Sequence, residues 1–322
     1  METVSLTNTL LTDTLSGLQN NPKTLKAKYF YDDEGSRIFE QIMHMPEYYP
    51  TRCEREIFTT QASAIVNAIT NSTNEPFELV ELGSGDGIKT RVLLKELIKN
   101  NSNFTYIPID ISRQAIEALQ NNLKSHLPSL TINPLIGDYF KIMHQINGYS
   151  GFKKTALFLG ANIGNYLADE LTLFLNALSN FLHRDDKILL GFDLKKSPAV
   201  IRKAYDDPHG LTRDFNLNLL RRLNRELGAD FSLNHFEHHA EYNPITGYAR
   251  SFLISICAQK VKIAASETVI SFDKWEPIFM EVSRKFDLKT ISSLAKNYGF
   301  KIISNFTDSK EYFVDSLWVK SE

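Results

Sequence analysis

Between residues 77 and 193 the chain repeats one pattern, a short apolar run, a turn and then a stretch of helical periodicity, and this alternation constrains the fold more than any other feature. The runs fall at 77–82, 104–111, 130–136, 155–159 and 187–193. The helical stretches between them fall at 89–97, 112–127 and 168–182, with Ser112 as a natural N-cap. Strands joined through helices pair in parallel, and a doubly wound parallel sheet binds its ligands beyond the carboxyl ends of its strands.

After residue 194 the rhythm breaks. Residues 197–206 and 211–227 read as consecutive helices, followed by alternating segments around 231–242 and 248–258, an insertion with its own packing. A helix at 288–298 and two closing strands at 301–306 and 312–319 return to the sheet. The expected division is an α/β Rossmann-like core at 58–194 plus 285–322, and a second, α+β substrate-binding domain made of 1–57 plus 195–284.

With 43% hydrophobic residues in 322, the chain has enough apolar side chain for a sizeable core. Its 36 basic and 38 acidic residues give a net charge of -2 without long runs of one sign, so neither nucleic acid nor an anionic membrane is an expected partner. Cys53 and Cys257 lack the spacing of a disulfide or thiolate-metal scaffold, and residues 1–26 lack a basic-then-apolar export pattern. A cytoplasmic monomer acting on a small molecule is expected. The cluster His235-Phe-Glu-His238-His239 has no clear fourth ligand and lies on an alternating segment, so it reads as an exposed polar face and no metal is expected.

The chemistry is concentrated at strand ends. Glu81-Leu-Gly83-Ser84-Gly85-Asp-Gly87 closes the first strand and opens the first helix, where glycines let a backbone approach a ligand. Its spacing is G-x-G-x-G, one residue shorter than the dinucleotide fingerprint fitted to a pyrophosphate, which disfavours a dehydrogenase. An acidic residue before the glycines and a cofactor without phosphate favour S-adenosylmethionine. A plain glycine turn explains the motif alone, but Asp110 ends the second strand, where a carboxylate can accept both ribose hydroxyls. Asp138, with Tyr139 beside it, follows the third, placed for an adenine. Lys89, in the first turn of the helix, is either a solvated lysine or a partner for the methionyl carboxylate.

Two upstream segments, Lys28-Tyr29-Phe30-Tyr31-Asp32-Asp33-Glu34-Gly35-Ser36 and His44-Met-Pro-Glu47-Tyr48-Tyr49-Pro50-Thr51-Arg52, are dense in tyrosine and charge but belong to no obvious strand. Together with residues 81–90, Phe158-Leu-Gly160-Ala-Asn-Ile-Gly-Asn165, Tyr205-Asp-Asp-Pro-His-Gly210, residues 224–230 and Glu281-Val-Ser283-Arg-Lys-Phe286, they resemble the histidine-specific Nα-methyltransferase family, in the same order along nearly the whole chain. That family includes enzymes that trimethylate L-histidine to hercynine on the way to ergothioneine, and relatives acting on tryptophan-derived amines.

The resemblance implies that Gly83, with Ser84 and Gly85 of the same turn, Lys89, Asp110, Asp138 and Tyr139 hold S-adenosylmethionine. It places Tyr48, Asn165 and Tyr205 around the α-amino and α-carboxylate groups of the amino acid, with Tyr31 and Gly160 close by and Tyr48 and Asn165 orienting the amine. Glu281 and Ser283 then fall where the family grips the imidazole. Two residues apart on an extended segment, they point to the same side and match a ring with one donor and one acceptor. A surface glutamate and a capping serine are the plainer alternative. One departure stands in the insertion: where the family's histidine enzymes often carry a methionine against the substrate ring, this chain has Ser251, which would widen the pocket. Methylation of another amino acid or aromatic amine, and cofactor binding without catalysis, remain the alternative functions.

Overall fold

The computed structural model describes residues 2–71, 75–146 and 151–321. The chain divides into two compact units, an insertion unit of Met1–Tyr49 with Lys196–Arg284 and a sheet unit of Pro50–Lys195 with Lys285–Glu322. It opens in the insertion unit with α1 (Glu2–Gln19), β1 (Lys23–Thr24) and α2 (Asp33–His44). The sheet unit follows as α3 (Pro50–Thr70), β2 (Phe77–Leu82), α4 (Thr90–Lys99), β3 (Phe104–Asp110), α5 (Arg113–His126), β4 (Leu135–Ile136), α6 (Tyr139–Gln145), β5 (Lys153–Phe158), α7 (Ala168–Phe181) and β6 (Lys187–Asp193). The chain then forms α8 (Pro198–Tyr205), α9 (Leu211–Leu227), β7 (Phe236–Tyr242), β8 (Tyr248–Ser255), β9 (Gln259–Ile263), β10 (Thr268–Phe272) and β11 (Pro277–Arg284) of the insertion unit. It returns to the sheet unit through α10 (Leu288–Asn297), β12 (Phe300–Thr307) and β13 (Phe313–Lys320).

The sheet unit is built on one sheet of order β12-β13-β6-β5-β2-β3-β4. Strands β2 to β6 are parallel, and β13 and β12 close one edge antiparallel. Every residue of β6 is buried, as a central strand covered on both faces requires. Val80, Leu82, Phe158, Leu175, Phe192 and Trp318 form the core. From β2 the chain moves outward to β3 and β4, then returns to β5 on the other side, so the strand order reverses between β2 and β5, where such sheets place their ligands.

Two expectations are corrected here. The third run shrinks to β4 and an isolated bridge between Tyr106 and Ile132, because Pro108 of β3 lies between the two pairings without an N–H for the ladder. The expected domain division at 57/58 falls inside α3, a continuous helix that buries Cys53, Glu54, Ile57 and Phe58, so residues 50–57 belong with the sheet.

The insertion leaves and re-enters the sheet unit at one place. Lys285 and Asp193, both fully buried, form an ion pair of 2.8 Å, and Phe286 N donates to Asp193 O while Lys195 N donates to Phe286 O. The insertion unit itself holds a sheet of order β1-β11-β8-β7 and a β9–β10 hairpin. Phe30, Ile38, Phe215, Leu219, Leu253, Ile278 and Met280 share its core. Among the described residues, no helix is long and apolar enough to cross a membrane.

Asp32 explains the first charged segment. Its Oδ1 accepts from Gly35 N at 2.8 Å, capping α2, and from Asn218 Nδ2 at 2.7 Å, while Oδ2 accepts from Arg225 at 2.5 Å, so one side chain ties α2 to α9. Burial alone would raise its pKa, but the guanidinium and the two amide donors together hold it below the usual carboxylate range. Gly35 is required by space, since a Cβ there would stand 1.7 Å from Phe30 O. Asp32→Ala is expected to lower stability by about 2 kcal/mol in urea unfolding, and Asp32→Asn, which keeps the cap, by about 1 kcal/mol.

Candidate active site

In the sheet unit the β2 exit is pinned to the end of β3, with Gly83 N and Ser84 N both donating to Ile109 O, at 2.8 and 3.1 Å. Gly83 and Gly85 take φ of +73° and +52°, and a Cβ at either would meet nothing within 4 Å, so open space lies over a turn that only glycine adopts easily. Within it the buried Ser84 Oγ has no hydrogen-bond partner. Asp110 closes the turn from the next strand, accepting from Gly85 N at 3.0 Å and from Ser112 N at 2.9 Å. Each of its oxygens retains a further lone pair for a ligand.

Asp138 caps α6 through Oδ1, accepting from Phe140 N and Lys141 N. The Tyr139 ring stacks on Phe140 at 5.1 Å and meets Phe158 edge-on at 6.0 Å, with its hydroxyl against that of Tyr166. Lys89 does not extend freely into solvent: its ammonium is bound to Glu54 Oε2, and 29% of its side-chain surface remains exposed. Burial would lower its pKa, but the facing Glu54 carboxylate raises it, so it stays charged. Gly160, at the β5 exit with φ +76°, donates its N–H to Glu54 Oε1 at 2.6 Å. Asn165 ends the 3-10 turn Asn162–Asn165 and is exposed.

A glycine turn with room above it, an orphaned buried hydroxyl, carboxylates after two successive strands and a part-exposed ammonium fit an adenosyl ligand with an amino-acid tail. No group of three or more His, Cys, Asp or Glu able to hold a metal occurs among the described residues.

In the insertion unit, β11 pairs with β8 through a register shift between Phe279 and Glu281. The shift sets Glu281 opposite Ser251 and Ser283 opposite Ala249, on the face where Ile278 opposite Leu253 enters the core. Tyr205, at the end of α8, donates its hydroxyl to Ser283 Oγ at 2.8 Å. The turn after it is held by Asp207, which accepts from His209 N, Leu211 N and Thr212 N. His238 departs from the expected exposed face: it is half-buried on β7, and its Nε2 lies 3.0 Å from Tyr205 O.

Tyr31 and Tyr48 flank Phe39 edge-on, at centroid distances of 5.4 and 6.1 Å. Tyr31 as a residue is 45% exposed, yet its phenolic end is desolvated. That desolvation, and then the fields of Glu281, Tyr48 and Tyr205, push its pKa well above the usual value, so it remains a neutral hydroxyl. The structure thus brings Tyr31, Tyr48, Tyr205, Ser251, Glu281 and Ser283 together in the insertion unit, whereas Gly160 and Asn165 belong to the sheet unit.

Residues 10–320 match the profile of the histidine-specific, S-adenosylmethionine-dependent methyltransferases. The chain belongs to this family. As a histidine-specific methyltransferase family member it uses S-adenosylmethionine and acts on a small molecule. It is 36% identical over 308 residues to a histidine N-alpha-methyltransferase of Mycobacterium tuberculosis (strain CDC 1551 / Oshkosh), which covers 96% of this chain and 94% of that protein. A protein of the same name from Mycolicibacterium smegmatis is 35% identical over 98% of this chain and 96% of its own length. An L-tryptophan methyltransferase of Psilocybe serbica is 27% identical over 97% and 93% of the two chains.

Two acidic residues of this methyltransferase have parts that the sequence did not disclose. Glu54 is a charge on the apolar stripe of α3, three and four residues before the buried Ile57 and Phe58, and that position is its one mark in the sequence. Glu81, the acidic residue before the glycines, is buried and accepts from Thr90 Oγ1 at 2.6 Å and from the Tyr106 hydroxyl. Burial raises its pKa from 4.5 to about 7 despite both donors. Between those values the folded chain keeps a proton that the unfolded chain has released, so this group's contribution to stability falls as pH rises, by about 3 kcal/mol across the window. Glu81→Gln is expected to flatten that slope in urea unfolding compared at pH 5 and pH 8; an unchanged slope would assign the pH dependence to other groups.

Proposed function

We propose that this methyltransferase acts on the α-amino group of free L-histidine and carries it through to Nα,Nα,Nα-trimethylhistidine. The observation that supports this best is the Glu281 and Ser283 pair on one face of β11, with the Tyr205 hydroxyl on Ser283 Oγ. A carboxylate only accepts and a hydroxyl can donate, which matches the one N–H and one lone pair of a neutral imidazole. An indole offers no second nitrogen, and it would leave a desolvated polar group without its partner. Ser251, small and directly opposite Glu281, leaves room beside the ring, so selectivity in this chain rests on those hydrogen bonds more than on shape.

Bound to the sheet unit, S-adenosylmethionine supplies a methyl carbon on a sulfonium, open to in-line displacement by an amine. Gly83, Ser84 and Gly85 give the cofactor a close backbone approach. Asp110 accepts from its ribose, Asp138 and Tyr139 border its adenine, and Lys89 offers its remaining ammonium protons to the methionyl carboxylate.

No strong base is required of the protein, because a free α-amino group is partly neutral near pH 7 and desolvation favours that form. Tyr48 orients the lone pair and Tyr205 steadies the amino-acid end, a gain in alignment and not in acid–base chemistry. The rings of Tyr31 and Tyr48 suit successive methylation, since a quaternary ammonium is held by aromatic faces without hydrogen bonds.

The protein with S-adenosylmethionine and an equimolar mixture of the twenty amino acids, histamine and tryptamine is expected to yield methylated histidine, with the trimethyl form accumulating in the mass spectrum. Glu281→Ala should cost about 100-fold in kcat/KM for histidine and raise the tryptophan-to-histidine ratio. A wild type that prefers another amine would move the substrate, and an unchanged ratio in Glu281→Ala would remove Glu281 from ring recognition.

A further inference from the structure

The reversal point between β2 and β5 carries a residue that the cofactor and substrate assignments leave out. Lys89 follows β2 and Gly160 follows β5, and Glu54 of α3 binds both: Oε2 takes the Lys89 ammonium, and Oε1 takes the Gly160 N–H at 2.6 Å. We infer that Glu54 is a positioning residue for S-adenosylmethionine, fixing the Lys89 ammonium and the Gly160 peptide together so that two strand-end loops present one preset surface to the cofactor. The inference rests on the sheet unit being the cofactor site.

A carboxylate with 1% of its side-chain surface exposed is costly to bury unless it is paired and hydrogen-bonded, and here both oxygens are spent on loops that border the site. The surrounding sequence makes room for this arrangement. On β6, Gly191 has no side chain where a Cβ would stand 2.8 Å from Glu54 Oε1. A Cβ on Gly160 would come within 3.2 Å of Lys89 Nζ. Asp315, opposite Gly191 in the β13–β6 register, is fully buried, and neither of its oxygens has a hydrogen-bond partner. Burial, and then the charge of Glu54, raise its pKa well above the carboxylate range, so it stays neutral and leaves Glu54 as the counter-charge of Lys89.

The pairing bears on the cofactor's own charge. An uncompensated ammonium among these loops would repel a sulfonium cation. Matched by Glu54, Lys89 keeps two donor protons for a ligand carboxylate without adding net positive charge.

The test measures binding, not turnover. The full chain, Glu54→Gln, Lys89→Met, the double variant and Gly191→Ala are titrated with S-adenosylhomocysteine by calorimetry, with thermal unfolding of each without ligand. Glu54→Gln is expected to weaken binding at least about tenfold. Gly191→Ala, which keeps every charge but crowds Glu54, should weaken it severalfold. Lys89→Met should cost much less in the Glu54→Gln background than in the wild type, because Glu54 acts through Lys89. If Glu54→Gln does not fold, the double variant, which buries no lone charge, is expected to show the same weakened constant. Wild-type affinity retained in Glu54→Gln or in the double variant, with only the melting temperature lowered, overturns the inference; so do independent, additive losses. A wild type that binds no S-adenosylhomocysteine overturns the cofactor site itself, and the inference with it.

Discussion

Parallel pairing of β2 with β3 on one side and β5 on the other is the constraint on which the sheet unit depends. Parallel strands deliver all their carboxyl ends to one edge, so Gly83, Asp110, Gly137 and Gly160 emerge there from separate stretches of chain without further arrangement. Local hydrogen bonds then convert proximity into shape: Gly83 and Ser84 bind the carbonyl that ends β3, and Asp110 binds the turn that follows β2. These strand-end loops are therefore held by one another and not only by their own strands.

The same edge shows how this chain manages charge away from water. Glu81 is held by two hydroxyls and Glu54 by an ammonium and a peptide, while neither oxygen of Asp315 has a partner, and burial raises the pKa of Glu81 and of Asp315. In the insertion unit, Asp32 and Asp207 are each surrounded by donors that outweigh burial, and they hold the segments on which Tyr31 and Tyr205 ride. Both acids serve the aromatic side chains at one remove, by fixing the backbone from which those side chains extend.

Much of the sheet unit was legible because its signals are local and periodic. β2, β6 and α9 fall where apolar spacing placed them, Ser112 caps α5 through its own side chain, and the glycine turn adopts the backbone its composition demands. β4 is shorter than its apolar run because the run cannot report that Pro108 of the neighbouring strand interrupts the ladder. α2 and α3 are not legible as helices, since charges interrupt the apolar stripe of α2, which becomes clear only beside Phe215, and that of α3, where Glu54 is buried beside Ile57 and Phe58. The Glu281 and Ser283 pair was legible as an extended segment. The register shift that sets it opposite Ser251 was not, because pairing is a property of two strands and neither one encodes it alone. Glu54 was hidden for the same reason: its meaning lies in Lys89 and Gly160, distant in sequence.

The buried pair of Asp193 and Lys285 has a consequence for how such an enzyme can diversify. It stands where the chain departs for some ninety residues and returns, and with the backbone bonds of Phe286 it makes departure and return neighbouring strands of one stem. The sheet registers this segment only at two fixed ends, so its length and helices can change there, but it shares its core with residues 1–49 and the two segments must change together. Change in one unit can then proceed while the buried Asp193 and Lys285 pair keeps the other unit's sheet intact.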